Sequence, residues 1–73
     1  MASGIMREAM ASPGWRPSML ALLRYAYVER NSMDRAARLL GLGEGDSARR
    51  QAARLKGRAL DLIRAAMEAR EAA

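Results

Sequence analysis

The residues best suited to chemistry in this sequence are basic and lie close together in its C-terminal half. No acidic residue interrupts the group, which consists of Arg49, Arg50, Arg54, Lys56 and Arg58. On an α-helix Arg50, Arg54 and Arg58 recur every four residues and form a stripe. Gln51 is expected beside this stripe, and Arg49 and Lys56 are expected to flank it. Such cations bind phosphates, and Arg and Gln also hydrogen-bond base edges. The pattern is typical of a nucleic-acid contact surface, but a solvated helix face gives the same pattern.

The overall charge also favours an anionic partner. Thirteen Lys and Arg residues oppose eight Asp and Glu residues, for a formal net charge of +5. A basic balance of this size is typical of proteins that bind nucleic acid. The high content of Ala and Arg also fits a GC-rich genome, and an acidic protein surface is an alternative partner.

Composition excludes several kinds of function. The chain has no Cys and no His, so we expect no disulfide, no zinc site, no cofactor and no enzymatic activity. Its longest apolar run, Met19 to Leu23, is far shorter than the roughly 20 residues of a membrane span. The first residues lack the pattern of a secretory signal. We therefore expect a soluble, cytoplasmic protein without membrane contact.

The fold is expected to be all-α and small. There are one Val, two Ile and no Thr, so little is available to form strands. Pro, Gly and Asn breaks predict a three-helix domain over residues 13–73. The helices are expected at 18–30, at 33–40, and from an N-cap at Asp46 or Ser47 to about 71. Residues 1–12 are expected to be a flexible or short helical N-terminal segment.

The region between the second and third predicted helices has the features of a tight helical turn. Ser32 is a natural N-cap for the second helix, and Gly41 suits a left-handed C-cap. Ala36 and Ala37 are small enough to let another helix approach closely, and Leu42 is a single apolar residue that can enter the core.

The stretch from Asn31 to Leu42 resembles the first helix and turn of a helix-turn-helix motif. It is most similar to the Fis type and also to the helix-turn-helix of phage small terminase subunits, and the likeness covers about residues 31–55. The turn here is longer and more acidic than in the Fis type, since Gly43, Glu44, Gly45 and Asp46 follow Leu42.

This resemblance implies a second helix that enters the DNA major groove. Arg49, Arg50 and Gln51 would then contact base edges, and a second set would contact phosphates, namely Arg54, Lys56 and Arg58. The implied function is a bacterial or phage transcriptional regulator. A small-terminase-like packaging protein is one alternative, and a protein-binding inhibitor or adaptor with an Arg-rich docking helix is another. The few aromatic residues favour DNA over RNA.

The third predicted helix is longer than a small three-helix domain needs, so other residues must cover part of its apolar surface. One apolar stripe is expected to face the body and comprises Ala48, Ala52, Leu55, Ala59, Leu62, Ala66 and Ala69. A second stripe, Leu60, Ile63 and Met67, is expected to form a homo-oligomer interface. The alternative cover for this half of the helix is residues 1–12.

Overall fold

The computed structural model describes residues 2–72 of the chain, and within that range it is all-α, as predicted. Helix α1 spans Ala2–Met10, α2 spans Pro17–Leu23, α3 spans Met33–Leu39 and α4 spans Asp46–Ala72. The molecule is elongated at 43 × 21 × 15 Å. At about 1.5 Å per residue, α4 alone is about 40 Å long and sets the long dimension.

Helix α2 ends earlier than the sequence predicts and continues as a π-helical segment, Arg24–Val28. The Glu29 N–H donates to the Arg24 carbonyl at 2.9 Å, which is the wider hydrogen-bond spacing of a π-helix. Arg30 then adopts the left-handed region with φ 56°. The Asn31 backbone N–H and side-chain Nδ2 both donate to the Tyr25 carbonyl, at 2.9 and 3.1 Å, and end the segment.

Helix α3 and its turn form as the local residues predict. Ser32 caps the helix, because its Oγ accepts a hydrogen bond from the Arg35 N–H at 3.2 Å. Gly41 follows with φ 79°, and the Leu42 N–H donates to the Ala37 carbonyl at 2.9 Å. The left-handed glycine expected at the end of α3 is therefore confirmed.

Helix α4 begins at Asp46 itself, so the expectation that Asp46 or Ser47 precedes the helix as its cap is wrong. The residue before the helix is Gly45, which has φ 91° and accepts a hydrogen bond at its carbonyl from the Arg49 N–H at 3.1 Å. A glycine fits this position because it adopts positive φ without steric cost. Asp46 lies instead in the first turn, where the helix dipole favours an acidic side chain.

Helices α2, α3 and α4 share one core made largely of alanines. Its buried members are Leu22, Ala36, Ala37, Ala48 and Ala52. Because the alanine side chains are short, α3 and α4 approach closely. Partly buried aliphatic residues, including Leu40, Leu42 and Leu55, surround this cluster.

The predicted inward stripe of α4 is correct except at its end. Four of its alanines are buried, namely Ala48, Ala52, Ala59 and Ala66, whereas Ala69 is exposed. The stripe repeats every seven residues, and a helix of 3.6 residues per turn drifts by about 20° per heptad. Three heptads after Ala48 the drift is about 60°, which carries Ala69 off the buried face.

Helix α1 packs on the C-terminal half of α4. Ala9 is fully buried, and the Glu8 carboxylate lies 3.2 Å from Nε of Arg70. Gly4 lies against the Arg70 side chain and Gly14 against Leu62, so the N-terminal segment runs antiparallel to α4. The N-terminal residues are thus a helix that covers this part of α4, which was the alternative to a partner chain.

Candidate nucleic-acid interface

The six predicted contact residues all lie on the first half of α4, but they do not form one surface. At 100° per residue, Arg50, Arg54 and Arg58 fall within about 80° of one another. Arg49 and Lys56 lie about 140 to 160° from Arg54 around the helix, so they do not closely flank the stripe. The stripe and this second pair are therefore two separate basic regions.

Arg49 is engaged by two carboxylates. Its Nη2 lies 3.1 Å from Oδ1 of Asp46 on the same helix, and its Nε lies 3.9 Å from Oδ1 of Asp34 on α3. The Arg49 side chain is still 52% exposed. Exposed ion pairs of this kind contribute only about 0 to 1 kcal/mol, so they open readily when a stronger anion approaches.

The remaining cations of this region are uncompensated. Within the described residues, none of Arg50, Arg54, Lys56 and Arg58 forms an ion pair, and all but the half-buried Lys56 are exposed. No acidic residue occurs between Ser47 and Leu60 in the sequence. The three arginines of the stripe share one helix face, where unpaired cations create a positive potential that attracts polyanions.

The acidic residues at the two ends of this basic stretch each pair with another arginine. Glu44 lies 3.2 Å from Arg38, and Asp61 lies 3.9 Å from Arg64. Their negative charges are therefore offset by cations outside the stripe. Neither Glu44 nor Asp61 therefore forms an ion pair with an arginine of the stripe.

Part of the stripe borders a groove of about 310 Å³ between α4, the end of α3 and the start of α2. The residues that line it are Arg16, Ser18, Leu40, Leu42, Gln51, Arg54, Leu55 and Arg58. Gln51, Arg54 and Arg58 are thus brought together with Arg16, which the sequence analysis did not include. No sequence pattern around Arg16 indicates that it belongs to this surface, because it lies far from α4 along the chain and meets α4 only through tertiary packing.

The predicted oligomer residues have mixed exposure. Leu60 and Ile63 are half-buried, and Met67 is 44% exposed. Because α1 packs on this half of α4, it provides part of the cover that the sequence analysis assigned to a second chain. Met67 remains accessible to a partner, and the homo-oligomer interface stays a prediction.

The described residues offer charge at the surface rather than buried reactive groups. No polar or charged residue from Gly4 to Ala72 is buried, and no group of three or more acidic residues there is arranged to hold a metal ion. No helix within residues 2–72 is long and apolar enough to span a membrane. The chemistry that this surface supports is the binding of an anion by arginine side chains.

Comparisons with known proteins assign no family to this surface. The chain matches no protein-family model, no curated protein and no solved structure.

Proposed function

We propose that this protein binds double-stranded DNA through the first half of α4 and acts as a bacterial or phage transcriptional regulator in the cytoplasm. The observation that carries this proposal is the exposed stripe of Arg50, Arg54 and Arg58, which has no ion-pair partner among the described residues. A helix with such a stripe can neutralise several phosphates at once, which is the main source of affinity in DNA binding.

The packing of α4 supports the use of its outer face. Ala48 and Ala52 turn inward against Ala36 and Ala37 of α3, so the two helices are held together by small buried residues. Arg50 lies on nearly the opposite side of α4 from this contact. Arg54 and Arg58 turn progressively toward the edge of α4 that borders the groove. A short helix, a turn and a second helix with a basic outer face are the parts that a helix-turn-helix uses.

Each residue is assigned a role by its position on α4. Arg50 and Gln51 lie near the N-terminal end, the part of a recognition helix that meets base edges. Arg54 and Arg58 lie one and two turns later and would bind phosphates. Arg49 reaches a base only after leaving Asp46, and Lys56 contributes to the general positive charge.

A second copy of the chain is part of this proposal. DNA-binding helices are commonly presented in pairs by symmetric dimers, which fixes the spacing of two half-sites. Met67, with 44% of its surface exposed beside Leu60 and Ile63, is the exposed large apolar residue among the described residues of α4 and could contact such a partner.

The proposal is tested by fluorescence anisotropy with labelled duplex DNA over a range of salt concentrations. Arg54→Gln is compared with Arg64→Gln, which makes the same change on the same helix but outside the stripe. We expect Arg54→Gln to weaken binding and to lower the slope of log K against log salt by about 0.9, the value for one lost phosphate contact. Equal losses in the two variants, or no binding by the wild type at low salt, would contradict the proposal.

A further inference from the structure

The groove beside the stripe combines two kinds of surface that a phosphate contact alone does not require. Leu40, Leu42 and Leu55 contribute apolar side chains, and three arginines stand around them. No acidic residue lines the groove, and no described acidic residue forms an ion pair with Arg16, Arg54 or Arg58. The groove is therefore apolar in part and strongly cationic.

The backbone of Arg16, which is the groove arginine furthest from α4 along the chain, is held by two hydrogen bonds. The Arg16 N–H donates to Sδ of Met19 at 3.4 Å, and the Arg16 carbonyl accepts from the Met19 N–H at 2.9 Å. Met19 is 1% exposed, so these bonds tie Arg16 to the interior while its side chain stays exposed. Arg54 and Arg58 are separated by one turn of α4 and approach the groove from the other side.

We propose that this groove binds a small amphipathic carboxylate, with its hydrocarbon part against the three leucines and its carboxylate between the arginines. Guanidinium groups bind carboxylates through paired, charge-assisted hydrogen bonds. Burial of a hydrocarbon chain against leucine supplies the second part of the affinity. A ligand that has only the carboxylate or only the hydrocarbon chain makes only one of these two kinds of contact, so we expect it to bind more weakly.

The size of the groove favours a small molecule over a protein. A volume of about 310 Å³ lies at the lower end of the range for ligand pockets. A stable protein interface uses roughly 20 to 30 residues on each side, far more than the lining of this groove. A DNA strand can meet the arginines but gains nothing from the leucines, so DNA does not explain the apolar part.

The direct test is a titration followed by two-dimensional ¹H–¹⁵N NMR, with hexanoate as the probe. Acetate carries the same charge without the chain, and 1-hexanol carries the chain without the charge. We expect saturable shifts at the amides of Leu40, Leu42 and Leu55 with hexanoate, and binding at least roughly tenfold weaker with either control. Equal effects of hexanoate and acetate, or shifts located elsewhere, would overturn the proposal.

Variants at the rim give an independent test that does not depend on the core. Arg16→Gln and Arg58→Gln replace exposed side chains and are expected to keep the fold, which the NMR spectrum itself reports. We expect each to weaken hexanoate binding by at least roughly fivefold. Arg64→Gln, outside the groove, should leave it unchanged. Equal hexanoate affinity in all three variants would show that Arg16 and Arg58 do not bind the carboxylate.

A carboxylate bound in the groove should weaken DNA binding, and this expectation alone rests on the proposed function. Arg54 and Arg58 belong to both surfaces, so a bound carboxylate would compete with phosphates for them. We expect hexanoate, but not equimolar acetate, to weaken DNA binding in the anisotropy assay. If the protein binds hexanoate but no DNA, the groove proposal stands and the DNA proposal fails. If the protein binds DNA but binds hexanoate no better than acetate, the DNA proposal stands and the groove proposal fails.

Discussion

Arg49 donates a hydrogen bond from Nη2 to Oδ1 of Asp46 at 3.1 Å, within the first turn of α4. The same guanidinium lies 3.9 Å from Asp34 of α3, so two carboxylates compete with any external anion for it. The arginine closest to the start of the proposed recognition helix is thus the one least available to DNA.

Release of Arg49 should therefore strengthen DNA binding. Asp46→Asn and Asp34→Asn each remove one competing carboxylate, and we expect a gain in affinity of up to about fivefold at low salt. Asp61→Asn is the matched control, because it removes the same charge beside Arg64, away from the start of α4. An equal gain in all three variants would show that only the net charge matters.

The turn between α3 and α4 should depend on glycine at position 41. Gly41 has φ 79°, and apart from the glycine and its two chain neighbours no heavy atom of the described residues lies within 4 Å of the point where a Cβ would be. Replacement therefore causes backbone strain rather than a clash, and we expect Gly41→Val to lower the free energy of unfolding by more than about 1 kcal/mol. Thermal unfolding measures this, and wild-type stability of the variant would contradict the turn described above.

Gly57 should behave in the opposite way. It lies inside α4, and open space surrounds the position of an added Cβ. Gly57→Ala restricts the unfolded chain and suits the helix, so we expect an increase in stability of about 0.4 to 1 kcal/mol. The same thermal unfolding series provides the comparison, and a less stable variant would show that something approaches this face.

Self-association is best tested at Met67. Its side chain is 44% exposed, so Met67→Glu should not disturb the monomer. We expect the wild type to form oligomers in light scattering and Met67→Glu to be shifted toward monomers, because a buried charge without a partner is unfavourable. A wild type that is monomeric at high micromolar concentration would leave α1 as the sufficient cover of α4.

Much of the fold could be predicted from the sequence because its signals are local. The scarcity of β-branched residues predicts an all-α fold, Ser32 predicts the N-cap of α3, and Gly41 predicts the left-handed end of α3. All three predictions are confirmed. The buried face of α4 was also readable from its periodicity. Ala69 was misplaced only because a strict seven-residue repeat drifts around a straight helix.

The features that were not predicted depend on contacts between distant residues. Nothing near Arg16 indicates that it joins Arg54 at a groove, because α2 and α4 meet only in the folded chain. The pairing of Asp34 with Arg49 is of the same kind. The packing of α1 on α4 could be given only as the alternative to a partner chain, because it too joins distant residues. The π-helical segment after Leu23 likewise has no signal among those that define ordinary helices.

The measurement that tests the central claim most directly is the salt dependence of DNA binding by two charge-matched triple variants. One replaces the stripe residues Arg50, Arg54 and Arg58 with Gln, and the other replaces Arg7, Arg24 and Arg64, which are exposed elsewhere. We predict that the stripe variant loses about 1.8 units of slope in log K against log salt, the value for the two phosphate contacts of Arg54 and Arg58, and the control variant far less. The same slope and affinity in both variants would contradict DNA binding through α4.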